Sequence, residues 1–375
     1  MRVAIVDGGS FVLAYDHALA ETLAAAGIAV EFHGSRTRYN GEFLEAMKRL
    51  PGVTVHERAL SRTVAPRGKG VLGYLALWLG LWRRRRELDA VNLQFSAAWP
   101  LELPFLWALR RKLVYTVHNA VPHDFAGRRH APTERIARLA RTLVFVSRFS
   151  RDDFLARYGD EFGAKSRLLG LGPTPVVPGL APVPYRPAPP PEALVYWSTV
   201  KPYKGVELFA DLARSPRIRD AGVGLEIHGQ WAPELAPLKA ELAGLGVKIV
   251  DAFLDAPALL ALLARNVVFL LPYREATQSG ALFSLLHHGR VFLCSDVGDL
   301  GDFLRRFGLE ELLLKERSAD AVADALERLK REPATIAASL QAAQAGSSWT
   351  ITHDGIAAVY AGVREGPEPR DPVTE

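Results

Sequence analysis

Four polar segments of this 375-residue sequence follow short apolar runs and contain side chains that can bind or transform small molecules. They carry a glycine pair, histidines with a carboxylate, two lysines, and a glutamate close to a glycine. Glycine N–H groups and lysine ammonium groups suit phosphate oxygens, whereas carboxylates and imidazoles suit hydroxyl groups. The segments are DGGS (7–10), TVHNAVPHD (116–124), STVKPYKG (198–205) and LPYREATQSG (271–280).

The lysine-bearing segment has the pattern of a diphosphate site. Lys201 and Lys204 flank a Pro-Tyr turn, and Gly205 begins a stretch whose apolar residues recur at helical spacing. Lysines beside the free N–H groups of a helix N-terminus attract phosphate. A solvated surface pair is the alternative, but the position directly after an apolar strand favours ligand binding.

The glutamate-bearing segment combines groups for a sugar with groups for phosphate. Glu275 can accept hydrogen bonds from hydroxyl groups, while Gln278, Ser279 and Gly280 stand where a helix begins and exposes N–H donors. Glu275 alone also fits an ordinary helix-start charge favoured by the helix dipole. That alternative does not account for the other polar residues of the loop.

The other two segments lie in the first half of the chain. His118, with His123 and Asp124 on the same loop, favours substrate contact over a metal site, because histidines on an irregular loop lack a standard ligand geometry. Gly9 follows the first apolar run without the G-x-G-x-x-G dinucleotide fingerprint. A tight strand-to-helix turn and a ligand contact explain it equally well.

The elements that position these segments alternate between short apolar runs and helical stretches. This pattern predicts an α/β protein of two doubly wound, Rossmann-like domains facing a central cleft, with ligands at the carboxyl ends of parallel strands. The predicted divisions are a first domain (1–178), a proline-rich hinge (179–192), a second domain (193–348), a C-terminal helix that could return to the first domain (349–363) and a flexible tail (364–375).

Composition and missing motifs narrow the chemistry. Apolar residues make up 49% of the chain and the formal charge is +5, which favours a globular protein with anionic partners. The single cysteine, Cys294, and the lack of leader features in MRVAIVDGG favour the cytoplasm. Phosphate-loop, nucleophile-elbow and D-x-D motifs are absent, so metal-independent chemistry without a bound cofactor is expected.

An apolar segment at 71–82 ends in a run of arginines. Twelve helical residues reach about 18 Å and cannot cross a hydrocarbon core about 30 Å thick. The segment instead predicts contact with an anionic membrane surface. A buried helix ending in a solvated basic turn fits slightly better, and no nucleic-acid-binding module accompanies the arginines. The residues concerned are Trp78, Trp82, Arg83, Arg84, Arg85 and Arg86.

These segments, in this order, resemble those of the GT-B glycosyltransferases of family 4, also called group 1, over nearly the whole chain. TVHNAVPHD is similar to the family's strand-end histidine motif, and LVFVSRFSRDDF is similar to the strand and helix that follow it. STVKPYKG is similar to its P-x-K-G diphosphate site. LPYREATQSGALFSLLHHG with VFLCSDVGDL is similar to its donor-sugar region.

The resemblance assigns roles to single residues of the second domain. It implies that Lys204 and Lys201 neutralise the diphosphate of a nucleotide-sugar donor. It also implies that Glu275 faces the donor sugar and that Ser279 and Gly280 contact phosphate.

In the first domain, the resemblance implies that His118 lies across the cleft near the transferred sugar and that Gly9 lies near the donor phosphates. Two positions depart from the family pattern. Phe283 occupies the place of the second glutamate of the E-x7-E motif, and Thr199 occupies the place of a common arginine, for which Lys201 is the expected substitute.

The expected function is transfer of a hexose from a nucleotide-sugar to a glycan or lipid-linked acceptor, in polysaccharide or glycolipid biosynthesis, in the cytoplasm or at the inner face of the membrane. Retention of configuration, which the resemblance suggests, needs no dedicated base. Inversion would require Asp124, Asp16 or His123 to deprotonate the acceptor. The alternative is a non-catalytic, sugar-nucleotide-binding partner subunit, which Phe283 favours.

Overall fold

The computed structural model divides the chain into two compact units. The first contains the described residues up to 170 together with Ile356, Val359 and Tyr360, and the second contains the described residues from 172 to 347. The structure describes residues 1–37, 41–58, 69–122, 125, 129–170, 172–187, 189–277, 279–347, 356 and 359–360.

The first unit is built on a parallel sheet of seven strands in the order β3-β2-β1-β4-β5-β6-β7. Its 3-10 turns are Arg110–Lys112 and Asp160–Lys165. Its strands and helices are β1 Arg2–Asp7, α1 Leu13–Ala25, β2 Ala29–Gly34, α2 Gly41–Arg49, β3 Val53–Glu57, α3 Lys69–Arg83, β4 Ala90–Phe95, α4 Trp99–Leu109, β5 Leu113–Val117, α5 Ala131–Leu139, β6 Thr142–Phe145, α6 Arg148–Tyr158 and β7 Ser166–Leu168.

Both faces of this sheet are buried, which explains why its central strands are continuous apolar runs. On one face, Val3 and Ile5 pack with Leu19 and with Tyr360 from near the C-terminus. The other face packs against helices that include α3 and α4. The short runs IAVEF, AVNLQF, KLVYTVH and TLVFVS of the sequence contain four strands of this sheet, β2, β4, β5 and β6.

The second unit has a parallel sheet of six strands in the order β10-β9-β8-β11-β12-β13. Its 3-10 turns are Pro202–Lys204, Pro233–Leu235 and Glu310–Leu312. Its strands and helices are β8 Ala193–Trp197, α7 Leu208–Arg214, α8 Pro216–Asp220, β9 Gly224–His228, α9 Ala236–Gly244, β10 Lys248–Val250, α10 Ala256–Ala264, β11 Val268–Leu271, α11 Gly280–His287, β12 Phe292–Ser295, α12 Gly298–Arg306, β13 Leu313–Leu314, α13 Ala319–Arg331 and α14 Pro333–Gly346.

The described part of the proline-rich segment 179–192, predicted to be the hinge between the domains, is hydrogen-bonded to the second unit. The Val183 N–H donates to the carbonyl of His287 at 2.8 Å. The Asn266 amide donates to the carbonyl of Pro190 at 2.8 Å. Proline lacks an N–H but keeps its carbonyl, so neighbouring side chains and backbone can bind the segment without a helix or strand. The described part of the segment therefore belongs to the second unit, which begins at residue 172.

The packing of helix α3 contradicts part of the predicted membrane contact, because Trp78 is buried. Its residues Tyr74, Leu77, Trp78 and Leu81 recur at helical spacing and are all buried in the core of the first unit. Trp78 is 0% exposed and cannot reach a membrane, because its indole fills the space beneath the helix. In the part of the chain that the structure describes, no helix combines the length and the hydropathy needed to span a bilayer.

Candidate active site

The first unit brings polar residues together at the carboxyl edge of its sheet. β1, β4 and β5 are neighbours and run parallel, so the residues at their carboxyl ends lie along one edge. Asp7 ends β1, Gln94 lies near the end of β4, and His118 follows β5 directly.

His118 is held in one orientation by its neighbours. Its Nε2 atom lies 2.8 Å from Oε1 of Gln94, an oxygen that only accepts, so Nε2 carries the proton and Nδ1 keeps its lone pair. The imidazole stacks on Phe95 with ring centroids 4.5 Å apart and an interplanar angle of 9°. Burial lowers the pKa of His118 to about 3. At neutral pH this histidine is therefore an uncharged hydrogen-bonding group.

A cavity of about 400 Å³ lies beside His118 within the first unit. Its wall combines aromatic rings with polar groups, a composition that suits an uncharged polar ligand such as a sugar. Glu102 in α4 braces one side by accepting hydrogen bonds from the N–H groups of Ala97 and Ala98, at 2.9 and 3.0 Å. Residues lining the cavity include Gln94, Phe95, Trp99, Tyr115, His118, Asn119 and Thr133.

Asp7 holds the glycine loop after β1 in place by accepting two backbone hydrogen bonds. One carboxylate oxygen of Asp7 accepts from the N–H of Val12 at 3.2 Å, and its backbone carbonyl accepts from the N–H of Ser10 at 2.9 Å. Gly9 is half-buried in this loop. The loop therefore has a fixed backbone, as a tight strand-to-helix turn requires.

Asp16, predicted as a possible base for an inverting reaction, lies on α1 beneath this loop and is 0% exposed. Burial raises its pKa well above the usual range, and Asp7 adds a further increase through charge repulsion and a shared hydrogen bond. A carboxyl with no exposed surface cannot contact an acceptor hydroxyl, so this role for Asp16 is wrong. His123 and Asp124 lie outside the described residues.

In the second unit, Lys204 occupies the carboxyl edge of the sheet, in the loop after β8. Its ammonium lies 3.7 Å from the ring centroid of Tyr273, which follows the neighbouring strand β11 and is 0% exposed. Lys204 is itself 9% exposed and has no carboxylate partner among the described residues. The Tyr273 ring thus positions the Lys204 ammonium, and no described carboxylate balances its charge. Lys201 lies half-buried in the same turn.

Gly205 allows this turn to close. Its φ of +70° lies in the left-handed region, and a Cβ atom there would stand 1.9 Å from the Pro272 carbonyl oxygen. The carbonyl of Pro272 also accepts from Nε of Arg317 at 3.0 Å. Arg317 and Arg274 both pair with Glu207, so this carboxylate is already neutralised. The P-x-K-G pattern thus fixes the lysine to the loop after β11.

The glutamate-bearing loop lies on the same edge, between β11 and α11. Ser279 caps α11 by accepting from the N–H of Leu282 at 3.3 Å, and Gly280 begins the helix with an exposed backbone. Glu275 is exposed. Gln278 lies outside the described residues.

Phe283 does not replace the missing glutamate chemically. It is 4% exposed and packs edge-to-face on Phe303 of α12, with ring centroids 5.3 Å apart. An apolar contact between α11 and α12 therefore occupies the position where the family pattern has a carboxylate.

The arginines after α3 are not equivalent. Arg84 donates two hydrogen bonds to Glu31, at 2.6 and 2.9 Å, which removes it from the predicted membrane contact. Arg85 lies 4.8 Å from the ring centroid of Trp82, whose side chain is partly exposed, while Arg83 and Arg86 are exposed.

Sequence reasoning missed Gln94, Phe95, Glu102 and Tyr273. The signal for Gln94 was a polar residue at the end of an apolar strand. Tyr273 lies within the predicted segment 271–280 but was given no role there. Their partners come from other elements, so no local pattern indicated the contacts.

Two family models match the chain. Residues 14–166 match the model described as Glycosyltransferase Family 4, and residues 191–332 match the model described as Glycosyl transferases group 1. No curated protein sequence matches this chain significantly.

Solved structures with low sequence identity share the fold. Sucrose-phosphate synthase from Thermosynechococcus elongatus is 18% identical with a TM-score of 0.68, covering 98% of this chain and 100% of that one. Anabaena HepE in complex with UDP and glucose is 15% identical with a TM-score of 0.65, covering 97% and 98%. An α,α-trehalose 6-phosphate synthase from Burkholderia multivorans is 14% identical with a TM-score of 0.63, covering 97% and 99%. Two Rossmann-like sheets and these likenesses establish the GT-B fold.

Proposed function

Because this chain belongs to the GT-B glycosyltransferases of family 4 and group 1, we propose that it transfers a hexose from a nucleotide-sugar to a glycan or lipid-linked acceptor. The observation that carries the proposal is Lys204, a nearly buried ammonium fixed at the carboxyl edge of the second sheet, which has no carboxylate partner in the part of the chain that the structure describes. A buried cation of this kind is costly unless an anion compensates it.

The donor diphosphate is the anion that best fits this position. Lys204 neutralises charge that develops on the diphosphate as the bond to the anomeric carbon breaks, and Lys201 adds a second cation. The first N–H groups of α11, after Ser279, supply further donors for phosphate oxygens, and Glu275 accepts from sugar hydroxyls. HepE, which shares the fold, is solved with UDP and glucose, and this supports a uridine nucleotide as the first donor to test.

The first unit supplies acceptor binding and an uncharged imidazole. His118 offers the Nδ1 lone pair to a sugar hydroxyl, since Nε2 is engaged with Gln94. Its pKa of about 3 makes it a poor base at neutral pH, which supports a reaction without a histidine base. The aromatic and polar cavity beside it suits an acceptor hydroxyl and the ring that carries it.

The transfer proceeds with retention of configuration and without a metal ion. The anomeric carbon–oxygen bond to the diphosphate breaks, a bond to the acceptor oxygen forms on the same face, and the acceptor proton passes to the departing phosphate oxygen. Lysines take the place of a divalent cation in stabilising the leaving diphosphate. No separate base is required in this scheme, consistent with the burial of Asp16.

A lipid-linked acceptor places the reaction at the inner face of an anionic membrane. Trp82, Arg83, Arg85 and Arg86 are the residues of the predicted contact that keep exposed surface and are not bound to Glu31. An amphipathic ring beside arginines is typical of surfaces that rest at the level of lipid headgroups.

A thermal-shift screen against UDP-, GDP-, ADP- and TDP-glucose tests the donor proposal. A ligand at 100 times its Kd stabilises the fold by about 2.7 kcal/mol, so one nucleotide class is expected to raise the Tm. Lys204→Ala is expected to abolish this shift. Lys315→Ala, which removes an exposed lysine of the same unit, is the matched control and is expected to keep it.

No shift with any donor in a folded sample would refute the donor site. A shift without release of nucleotide diphosphate, with every glycan and lipid acceptor tried, would instead identify the non-catalytic partner subunit that the apolar Phe283 contact favours.

A further inference from the structure

We propose a second ligand site in the second unit, a basic pocket that binds an organic phosphate at the edge of the sheet opposite to the candidate active site. The pocket is a cavity of about 320 Å³ between the proline-rich segment and the starts of β11 and β12. We call it the amino-edge pocket. Its lining residues include Val183, Arg186, Arg265, Asn266, Val267 and Arg290.

The strand directions fix its location. Every lining residue precedes a strand: 183–187 come before β8, 265–267 before β11, and 289–291 before β12. All strands of this sheet are parallel, so these residues lie at its amino edge. Lys204 and Ser279 follow β8 and β11 and lie at the carboxyl edge. One small ligand cannot occupy both places.

Hydrogen bonds and close packing hold the walls of the pocket in place. The Tyr185 N–H donates to Oε1 of Gln341 at 2.8 Å, and its hydroxyl donates to the carbonyl of Arg290 at 3.1 Å. Gly289 has φ +62°, and a Cβ there would lie 2.6 Å from the carbonyl oxygen of Val183. The proline-rich segment therefore packs tightly against the turn that carries Arg290.

Among the described residues, two of the three pocket arginines, Arg186 and Arg290, have no carboxylate partner. Arg265 is paired bidentately with Glu226, both bonds being 2.8 Å. Arg290 donates only to backbone, from Nε to the carbonyl of His288 at 2.9 Å and from Nη1 to that of Arg265 at 3.4 Å. Among the described residues, no carboxylate pairs with Arg290 or with the exposed Arg186.

Arginines beside valine and proline side chains favour a ligand that carries a negative charge and an apolar group. A partly buried guanidinium without a counter-ion gains from a phosphate, whose oxygens accept its remaining N–H groups. Burial also lowers the pKa of Arg290, the expected consequence of a cation without an acid beside it. The rest of the lining is mainly valine and proline, so an organic phosphate is favoured over the inorganic ion.

Isothermal titration calorimetry with phenyl phosphate, inorganic phosphate and phenol tests the site. Phenyl phosphate is expected to bind most tightly, since only this probe supplies both charge and apolar surface. Arg290→Gln and Arg186→Ala are each expected to weaken it about tenfold, because each removes a charge-assisted hydrogen bond. Arg219→Ala removes an exposed arginine of the same unit and is expected to have no effect.

Lys204→Ala separates this site from the donor site. Phenyl phosphate is expected to bind Lys204→Ala as it binds the wild type, whether or not the donor proposal holds. The amino-edge pocket is refuted by loss of binding in Lys204→Ala, by unchanged binding in both Arg290→Gln and Arg186→Ala, or by no binding to the wild type.

Discussion

The ammonium of Lys204 lies 3.7 Å from the ring centroid of Tyr273, although 69 positions separate the two residues in the sequence. Their strands, β8 and β11, are neighbours in the sheet, so the loops after them meet. The ring face attracts the cation and limits its orientations. The position of the proposed phosphate-binding charge therefore depends on a residue of another loop.

Tyr273→Leu is expected to raise the Kd of the nucleotide-sugar about 3–10-fold, since a desolvated cation–π contact is worth about 2 kcal/mol and part of it orients Lys204. Tyr273→Phe is the matched control. Its ring is retained, and the lost hydroxyl is buried without a hydrogen-bond partner in the part of the chain that is described, so the Kd should stay near the wild-type value. Equal effects of both variants, measured by calorimetry, would contradict the cation–π role.

Gly205→Ala is expected to unfold the lysine turn and to abolish donor binding. The new Cβ would adopt a left-handed φ and also overlap the carbonyl oxygen of Pro272. Gly222→Ala provides the comparison, because Gly222 has φ +69° but open space around it. Urea unfolding should show a cost of about 1–2 kcal/mol for Gly222→Ala and a larger cost for Gly205→Ala. Similar costs would mean that the overlap with Pro272 relaxes without penalty.

Asp16→Asn is expected to raise stability at pH 8 and to flatten its dependence on pH. Burial raises the pKa of Asp7 to about 6 and that of Asp16 well above the usual value, so the folded pair holds a proton that the unfolded chain releases above about pH 4. Stability contributed by this proton is present at low pH and is lost as pH rises through 6, by up to about 1.4 kcal/mol per unit.

An amide at position 16 can donate to Asp7 without a titrating proton. The free energy of unfolding between pH 4 and 8 measures the difference, with Asp220→Asn as an exposed control. A wild-type pH profile retained in Asp16→Asn would show that the carboxyl pair does not share a proton.

His118→Asn is expected to reduce acid destabilisation between pH 6.5 and 3. The pKa of His118 is lowered to about 3 by burial, so the unfolded chain takes up a proton below pH 6.5 that the folded chain excludes. Stability is therefore lost as pH falls through this window, by up to about 1.4 kcal/mol per unit. The pH slope of urea unfolding should decrease by about one proton in the variant, and an unchanged slope would contradict a neutral buried imidazole.

The combined replacement of Trp82 by Ala and of Arg83, Arg85 and Arg86 by Gln is expected to weaken binding to vesicles containing anionic lipid. At about 1 kcal/mol per arginine, the loss corresponds to about 100-fold in the partition coefficient. Replacing Arg214, Arg217 and Arg219 of the second unit by Gln changes the net charge equally. Vesicle co-sedimentation that falls by the same factor in both variants would indicate general charge attraction and not a defined surface.

The sequence identified the ends of strands because polar segments after apolar runs have a local signature. Lys204, Ser279 and His118 were found in this way, and all lie at the carboxyl edges of their sheets. The apolar character of α3 was also visible, but it does not say how far along the helix burial extends. Trp78 and Trp82 are four positions apart on one face, yet Trp78 is 0% exposed and Trp82, in the last turn, is 37% exposed.

By itself, the sequence determined the two parallel sheets, their order along the chain and the loops that carry the site, because each depends on residues close together in the chain. Only the tertiary structure decided which groups stay free. Arg84 is bound by Glu31, Asp16 is buried beside Asp7, and Lys204 lies on Tyr273 with no described carboxylate paired to it. Burial and charge pairing depend on distant neighbours, and these decide whether a charged side chain is available to a ligand.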